Sequence, residues 1–263
     1  MIKLFFFWCV CFLSIVSAEE IDLSVYEKSF YSQNGEDGVL ARLFHLIQPA
    51  NRFCVDIGAY DGVTGSNSYL LRLQGWETVS FDRGYEYPAL NVFKEFLTMK
   101  NINQVFDKYN VPSEFGLLSI DIDYNDFYIW QAIGDQYRPA VVMVEFNATH
   151  LPHEDKVVKY YPFFSGDGSN YYGASILAFY NLGRSKGYSL VYAEKEGVNL
   201  FFLRDDIIQE KRLQFKDAND VEKLYRYPKY GGGPNGGHPH DIKERKYVAS
   251  EELIENSNRG VDL

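Results

Sequence analysis

The 263-residue chain is short of three things, and each shortage closes a class of function. Cys9, Cys11 and Cys54 are the only cysteines, too few for a disulfide-stapled scaffold. Cations are also scarce: 26 Lys and Arg face 36 Asp and Glu, for a formal charge of −10. So acidic a chain lacks the basic face that displaces counterions from nucleic acid or meets an anionic membrane surface. Third, no apolar run reaches the roughly 20 residues that span a bilayer as a helix. Internal repeats, a nucleophile elbow, a P-loop and zinc-spaced Cys/His pairs are missing too. What is present is ordinary globular material, 46% hydrophobic and 24% charged, with an unusual 44 aromatic side chains (20 Phe, 21 Tyr, 3 Trp).

The longest apolar run, Leu4 to Val16, follows Lys3 and precedes the small residues Val16-Ser17-Ala18. That order is a secretory signal over residues 1–18, favoured over a retained signal-anchor because the run is short. The expected location is the secretory pathway: secreted, periplasmic, or in an ER or Golgi lumen. Cleavage takes two cysteines with it, leaves Cys54 as a buried thiol in an apolar run, and leaves no stable membrane span.

Strand and helix patterns then alternate. Val39, Leu40, Leu43, Phe44 and Ile47 share a helical face closed by Pro49. Phe53–Ile57 is a buried strand, 66–73 a helix stopped by Gly75, and 78–81 a second strand ending at Asp82. The stretch 89–98 reads as a strand rather than a helix. Asn101 with Gln104 three places on predicts a capping box for the next helix. Leu117–Ile120 is a fourth strand, 126–133 a helix, 140–146 a β-branched fifth strand and 173–186 a helix. Strands 188–193 and 198–203 form a hairpin around Glu194–Gly197. This predicts an α/β, Rossmann-like, doubly wound and mostly parallel sheet with an antiparallel C-terminal hairpin strand. The domain covers 19–215. Residues 216–263 are predicted as an irregular, glycine-rich extension whose stretch 231–240 is flexible and exposed, with His238 and His240 solvated in preference to binding a metal.

The densest chemistry lies in Val55-Asp56-Ile57-Gly58-Ala59-Tyr60-Asp61-Gly62. A strand ends in an acid, and two glycines four apart let a backbone turn approach a ligand closely. One glycine is missing from the dinucleotide pattern, which disfavours NAD. Asp82, 24 residues after Gly58, ends the next strand, where an acid accepts hydrogen bonds from ribose hydroxyls. Together these resemble the first motif and ribose acid of class I S-adenosylmethionine-dependent methyltransferases.

Further segments sharpen that resemblance to FkbM-type methyltransferase-like proteins. They are Ser32-Gln33-Asn34-Gly35-Glu36-Asp37-Gly38, Gly65-Ser66-Asn67-Ser68, Leu117 to Asp126, Val142 to Asn147, Tyr172-Gly173-Ala174-Ser175 and Asn199 to Asp206, together covering roughly 30–207. The resemblance implies S-adenosylmethionine as cofactor, held by Asp56, Gly58, Ala59, Tyr60, Asp61, Gly62 and Asp82. One departure is Tyr124, where a glycine is expected; a tyrosine is sterically poor there if its φ is positive.

Asp121 and Asp123 end one strand, and Glu145 and Asn147 end its neighbour, so all four meet at one crevice. Three readings stay open. Asp121, Asp123 and Asn147 are oxygen ligands for Mg²⁺ or Ca²⁺; or Asp121, Asp123 or Glu145 is a general base; or the group is a hydrogen-bonded network satisfying loop N–H groups. His150 and His153 are further candidate bases on a loop, with solvation as the alternative. Asn147-Ala148-Thr149 is a glycosylation sequon whose rim position argues against its use.

Three functions fit. One is an exported or lumenal methyltransferase acting on a hydroxyl of a glycan or small molecule. The second is a secreted binding protein that keeps the fold and has lost the reaction, and the third a cytosolic enzyme whose N-terminus is not a cleaved signal. The aromatics of the loop after the fifth strand, Tyr160, Tyr161, Phe163, Phe164, Tyr171 and Tyr172, either pack a core and lid or face an acceptor. Oligomeric state is left open.

Overall fold

A computed structural model describes residues 20–164 and 166–259; the signal read over 1–18 lies outside the described residues. Helix α1 (Glu36–Ile47) leads into β1 (Phe53–Ile57), α2 (Tyr69–Leu73), β2 (Glu77–Asp82), β3 (Val92–Lys94), α3 (Ile102–Lys108) and β4 (Glu114–Ile120). Then follow α4 (Asp126–Ala132), β5 (Arg138–Glu145), α5 (Ile176–Ser185), β6 (Tyr188–Ala193), β7 (Asn199–Arg204), α6 (Asp205–Lys211), α7 (Val221–Leu224) and α8 (Ser250–Asn258). The seven strands form one sheet in the order β3-β2-β1-β4-β5-β7-β6. Neighbours from β3 to β5 pair parallel, and β7 runs antiparallel to both β5 and β6. The fold is the Rossmann-like α/β class that the alternation implies.

Period-two alternation along the strands splits the core into two layers. Val55, Ile57, Leu118, Ile120, Val142, Val144 and Phe202 face one side, where Ile102, Phe106, Phe127, Trp130 and Phe179 of α3, α4 and α5 cover them. Cys54, Leu117, Val141, Met143, Phe201 and Leu203 face the other, under Val39, Leu40, Leu43 and Phe44 of α1. Both faces are thus sheathed, which is why β1, β4 and β5 read as unbroken apolar runs.

The Ser32–Gly38 segment is a folding device rather than a site. Asp37 Oδ2 accepts N–H bonds from Phe30, Tyr31 and Ser32 at 2.7–2.9 Å, and Glu36, fully buried, accepts from Asn34 N and from Asn199 Nδ2 of β7. The entrance to α1 is thereby tied to the far strand pair.

Several sequence expectations need correction. No capping box forms at Asn101: its amide oxygen turns back to Thr98 N (2.7 Å). The stretch 89–98 holds only a three-residue edge strand, preceded by the turn Pro88–Leu90. Helix α5 starts at Ile176, where Ser175 Oγ accepts from Ala178 N and stops the helix from running back to 173. Positive φ falls on Asp123 (66°), a residue that tolerates it, and not on Tyr124, which is buried with its hydroxyl donating to Lys159 O. The extension after 215 is irregular only in part. It forms α7 and α8, and it places Leu224, Tyr225 and Leu253 in the same core as α3–α5. Its glycine stretch is pinned by bonds from Gly231 N to Gly236 O, from Gly233 N to Gly237 O and from Asn170 N to Pro239 O.

Leu253→Ala should therefore cost about 2–4 kcal/mol of unfolding free energy. A lower urea midpoint at unchanged slope is the expected reading; an unchanged midpoint would place α8 outside the cooperative unit.

Candidate functional site

The strand order reverses between β1 and β4, and a cavity of about 570 Å³ opens over their C-terminal ends. Ile57, Gly58 and Tyr60 line it from β1; Phe81, Asp82, Arg83, Gly84 and Tyr85 from β2; Glu95, Phe96 and Leu97 from β3. The end of β4 supplies Asp121, Ile122, Asp123 and Asn125, and the loop after β5 supplies Pro162 and Phe164.

Gly58 sets the geometry. Its φ is +92°, and a Cβ there would overlap the Asp121 carbonyl. Asp121 N donates to Ile57 O (2.9 Å), so the two strand ends lie backbone against backbone. The N–H groups of the turn are spent internally. Gly58 N and Ala59 N donate to Phe81 O, Tyr60 N to Asp82 Oδ2, Gly62 N to Ala59 O, and Val63 N and Thr64 N to Asp61 Oδ1. No N–H cradle is left among these six for a phosphate.

The predicted cofactor residues therefore divide. Gly58, Tyr60 and Asp82 line the cavity, whereas Asp56, Ala59, Asp61 and Gly62 shape the turn behind it. Asp56 is buried and accepts from Ser68 Oγ (2.6 Å), and burial raises its pKa. Asp61 braces Val63 and Thr64. Asp82 receives Tyr60 N on one oxygen and Gly84 N and Tyr85 N on the other, fixing two loops while one face stays in the cavity.

The carboxylate cluster is real in part. Asp121, Asp123 and Glu145 bring oxygens within 4.8 Å of one another. Only the first two line the cavity; Glu145 does not. Burial, then Asp126, Asp123 and Asp56, push the Asp121 carboxyl well above the usual range. Burial, then Asp121 and Asp126, do the same to Glu145. Asp126, fully buried, is pushed up to about 7 by desolvation.

Asn147 is withdrawn as a ligand. Its Nδ2 donates to Asn170 O and Tyr172 O, and its Oδ1 takes both the N–H and the hydroxyl of Thr149. It is also fully buried, which closes the sequon to modification in the folded chain. His150 is withdrawn as a base. It is buried, faces Asn147 Nδ2 at 3.3 Å and Tyr247 edge-on, and burial lowers its pKa to about 4. His153 is exposed on the same loop.

Of the crowded loop aromatics, Phe164 lines the cavity and Tyr171 and Tyr172 are buried. Tyr161 and Phe163 stand exposed, Phe163 stacked parallel on Phe96 at 5.7 Å. Sequence reasoning missed Arg83, Tyr85, Glu95, Phe96 and Asn125, although Arg83 directly follows the named Asp82. It also missed the C-terminal contribution: Tyr230 meets Tyr172 hydroxyl to hydroxyl at 2.5 Å, and the half-buried His238 packs on both rings.

Fold and cavity define an α/β protein with a ligand crevice at the switch point of a Rossmann-like sheet. No protein-family model matches the chain, and no curated protein matches it. Among the described residues, no helix is long and apolar enough to cross a membrane.

The His150 pKa gives a signed test. A folded-state value of about 4 against an ordinary 6.5 means the folded protein binds fewer protons between those limits. Stability from this group is complete above pH 6.5 and drains away as pH falls toward 4. Wild type should lose about 3 kcal/mol more than His150→Gln over that window in urea titrations. Parallel losses in the two proteins would contradict it.

Proposed function

We propose that the chain is an S-adenosylmethionine-dependent methyltransferase, of the FkbM type it resembles, transferring methyl to a hydroxyl of a glycan or small molecule. The carrying observation is the chemistry of the crevice. The turn after β1 has spent six of its backbone donors, and the crevice presents Asp82, Asp121 and Asp123, against Arg83 as its one cation free of an ion pair among the described residues. Glu95 is already paired with Lys108. Such walls disfavour NAD, ATP and other phosphate-bearing ligands and suit a nucleoside cofactor that carries positive charge instead. The cavity also falls within the roughly 300–1,000 Å³ that engulfs a ligand of this size.

When bound, S-adenosylmethionine would supply an electrophilic methyl group. The remaining work belongs to the chain. Asp82 keeps lone pairs for ribose hydroxyls after its three N–H bonds. Tyr60, Tyr85 and Phe96 offer ring faces to a base. At the other wall, Asp123 stands exposed at the rim, in position to take the proton of an acceptor hydroxyl. Asp121 lies beside it, its carboxyl pushed well above the usual range by burial and by Asp126, Asp123 and Asp56. The signal pattern in the sequence of residues 1–18 supports an exported or lumenal setting for the reaction.

Calorimetry with S-adenosylhomocysteine tests this directly. Micromolar binding is expected, weakened about tenfold or more in Asp82→Ala, since hydrogen bonds to a charged group are lost. Absence of heat at millimolar cofactor from a folded protein would sink the reading.

A further inference from the structure

We propose that the hollow between the N-terminal segment, α1 and the end of α6 is a second ligand site, taking a carboxylate with an apolar tail. The inference does not rest on methyl transfer, because this cavity of about 460 Å³ shares no lining residue with the crevice. Arg42 of α1 and Arg212, which directly follows α6, supply its positive charge. Ile21, Val25, Leu46 and Leu213 give it an aliphatic wall.

The partners of the arginines single this cavity out. Arg138, Arg184, Arg204, Arg245 and Arg259 each pair with a carboxylate. Arg52, Arg72 and Arg226 donate to backbone carbonyls instead. Among the described residues, Arg42, Arg83 and Arg212 form no ion pair. Arg83 lines the crevice, and the other two line this hollow. In a chain with 36 acids to 26 bases, unpaired guanidinium groups in a concave wall are poised to receive an anion. Arg42 also has a buried Nε without a hydrogen-bond partner, and its guanidinium carbon lies 4.8 Å from the centre of the Tyr26 ring. A ring face rather than an acid orients that group, so its charge is left for a ligand to compensate. Arg212 stands at φ +53°, where glycine is the strain-free residue, yet a long cation is kept there.

The acids at the rim set the ligand's charge. Asp22 is engaged by Lys216 Nζ at 2.8 Å and by Ser24 N at 3.0 Å, and the exposed Glu20 offsets one guanidinium. About one positive charge is left over, which suits a monoanion and disfavours polyphosphates. A phosphate monoester, at about −1.5 to −2, is a poorer match than a carboxylate. The two carboxylate oxygens fit the arginine fork, and the aliphatic wall needs an apolar body to cover it. Backbone bonds fix the walls: Ile21 N donates to Gln214 O (2.8 Å) and Lys216 N to Ile21 O (3.0 Å), tying the N-terminal segment to the stretch beside Arg212. The volume falls within the roughly 300–1,000 Å³ of small-molecule sites.

Calorimetry of the full chain with decanoate tests the site. Binding at roughly 10–100 μM is expected, with decanol, which lacks the charge, about tenfold weaker or worse. Arg42→Gln and Arg212→Gln should each weaken decanoate about tenfold while melting close to the wild-type temperature. Lys100→Gln makes the same charge change at an exposed position lining neither cavity and should leave the affinity unchanged. The proposal is overturned if millimolar decanoate gives no heat, if the affinity survives both arginine substitutions, or if decanol binds as tightly. Tighter binding of inorganic phosphate than of decanoate also overturns it, since the aliphatic wall would then play no part.

Discussion

The crevice depends on one close approach, in which the backbone at Gly58 lies against the Asp121 carbonyl. No side chain fits between them, and the positive φ at Gly58 turns the chain away from β1 at that point. Because Ile57 O also receives Asp121 N, β1 and β4 stay paired to their last residues and then diverge. Divergence at the reversal of strand order opens the cavity. Everything that chemistry could use hangs on that junction: Asp82 through its bond to Tyr60 N, and Asp121 and Asp123 through the end of β4. The contact lies in the backbone, so side-chain repacking cannot replace it.

Beside that junction the protein concentrates buried acid. Asp56, Asp121, Asp126, Glu145 and Glu194 all have pKa values raised chiefly by desolvation, and Glu36 lies close enough to add to the strain on Asp121 and Glu194. Folding therefore carries an electrostatic cost at one sheet edge, offset by the two apolar layers and by bonds such as Asn199 Nδ2 to Glu36. Costs of this kind collect at functional sites, and the edge that bears it also borders the cavity. The C-terminal segment contributes here as well, since Tyr230 and His238 wall the cluster from residues far along the chain.

Sequence patterns carried the sheet well. Continuous apolar strands, glycine stops and the hairpin at Glu194–Gly197 are local signals, and the order of elements follows from them. The cluster of Asp121, Asp123 and Glu145 was legible for the same reason, since strand-end acids in a parallel sheet share an edge. Side-chain commitment was not legible. Asn147 and His150 have suitable chemistry, yet one is saturated by Thr149, Asn170 and Tyr172 and the other is sealed beneath Tyr247. Asp56 and Asp61 sit in the glycine motif but brace the turn instead of lining the cavity. Long-range packing decided each of these, as it decided that Leu253 belongs to the core. The glycine stretch misled because composition reports freedom of the backbone and not the hydrogen bonds that consume it.

The most direct test of a phosphate-free cofactor crevice is photo-crosslinking with methyl-labelled S-adenosylmethionine, followed by peptide mapping. The expected label falls on peptides carrying Tyr60, Tyr85 or Phe96, is suppressed by excess S-adenosylhomocysteine, and is untouched by excess ATP or NAD. Label elsewhere in the chain, or equal suppression by ATP, would contradict the account.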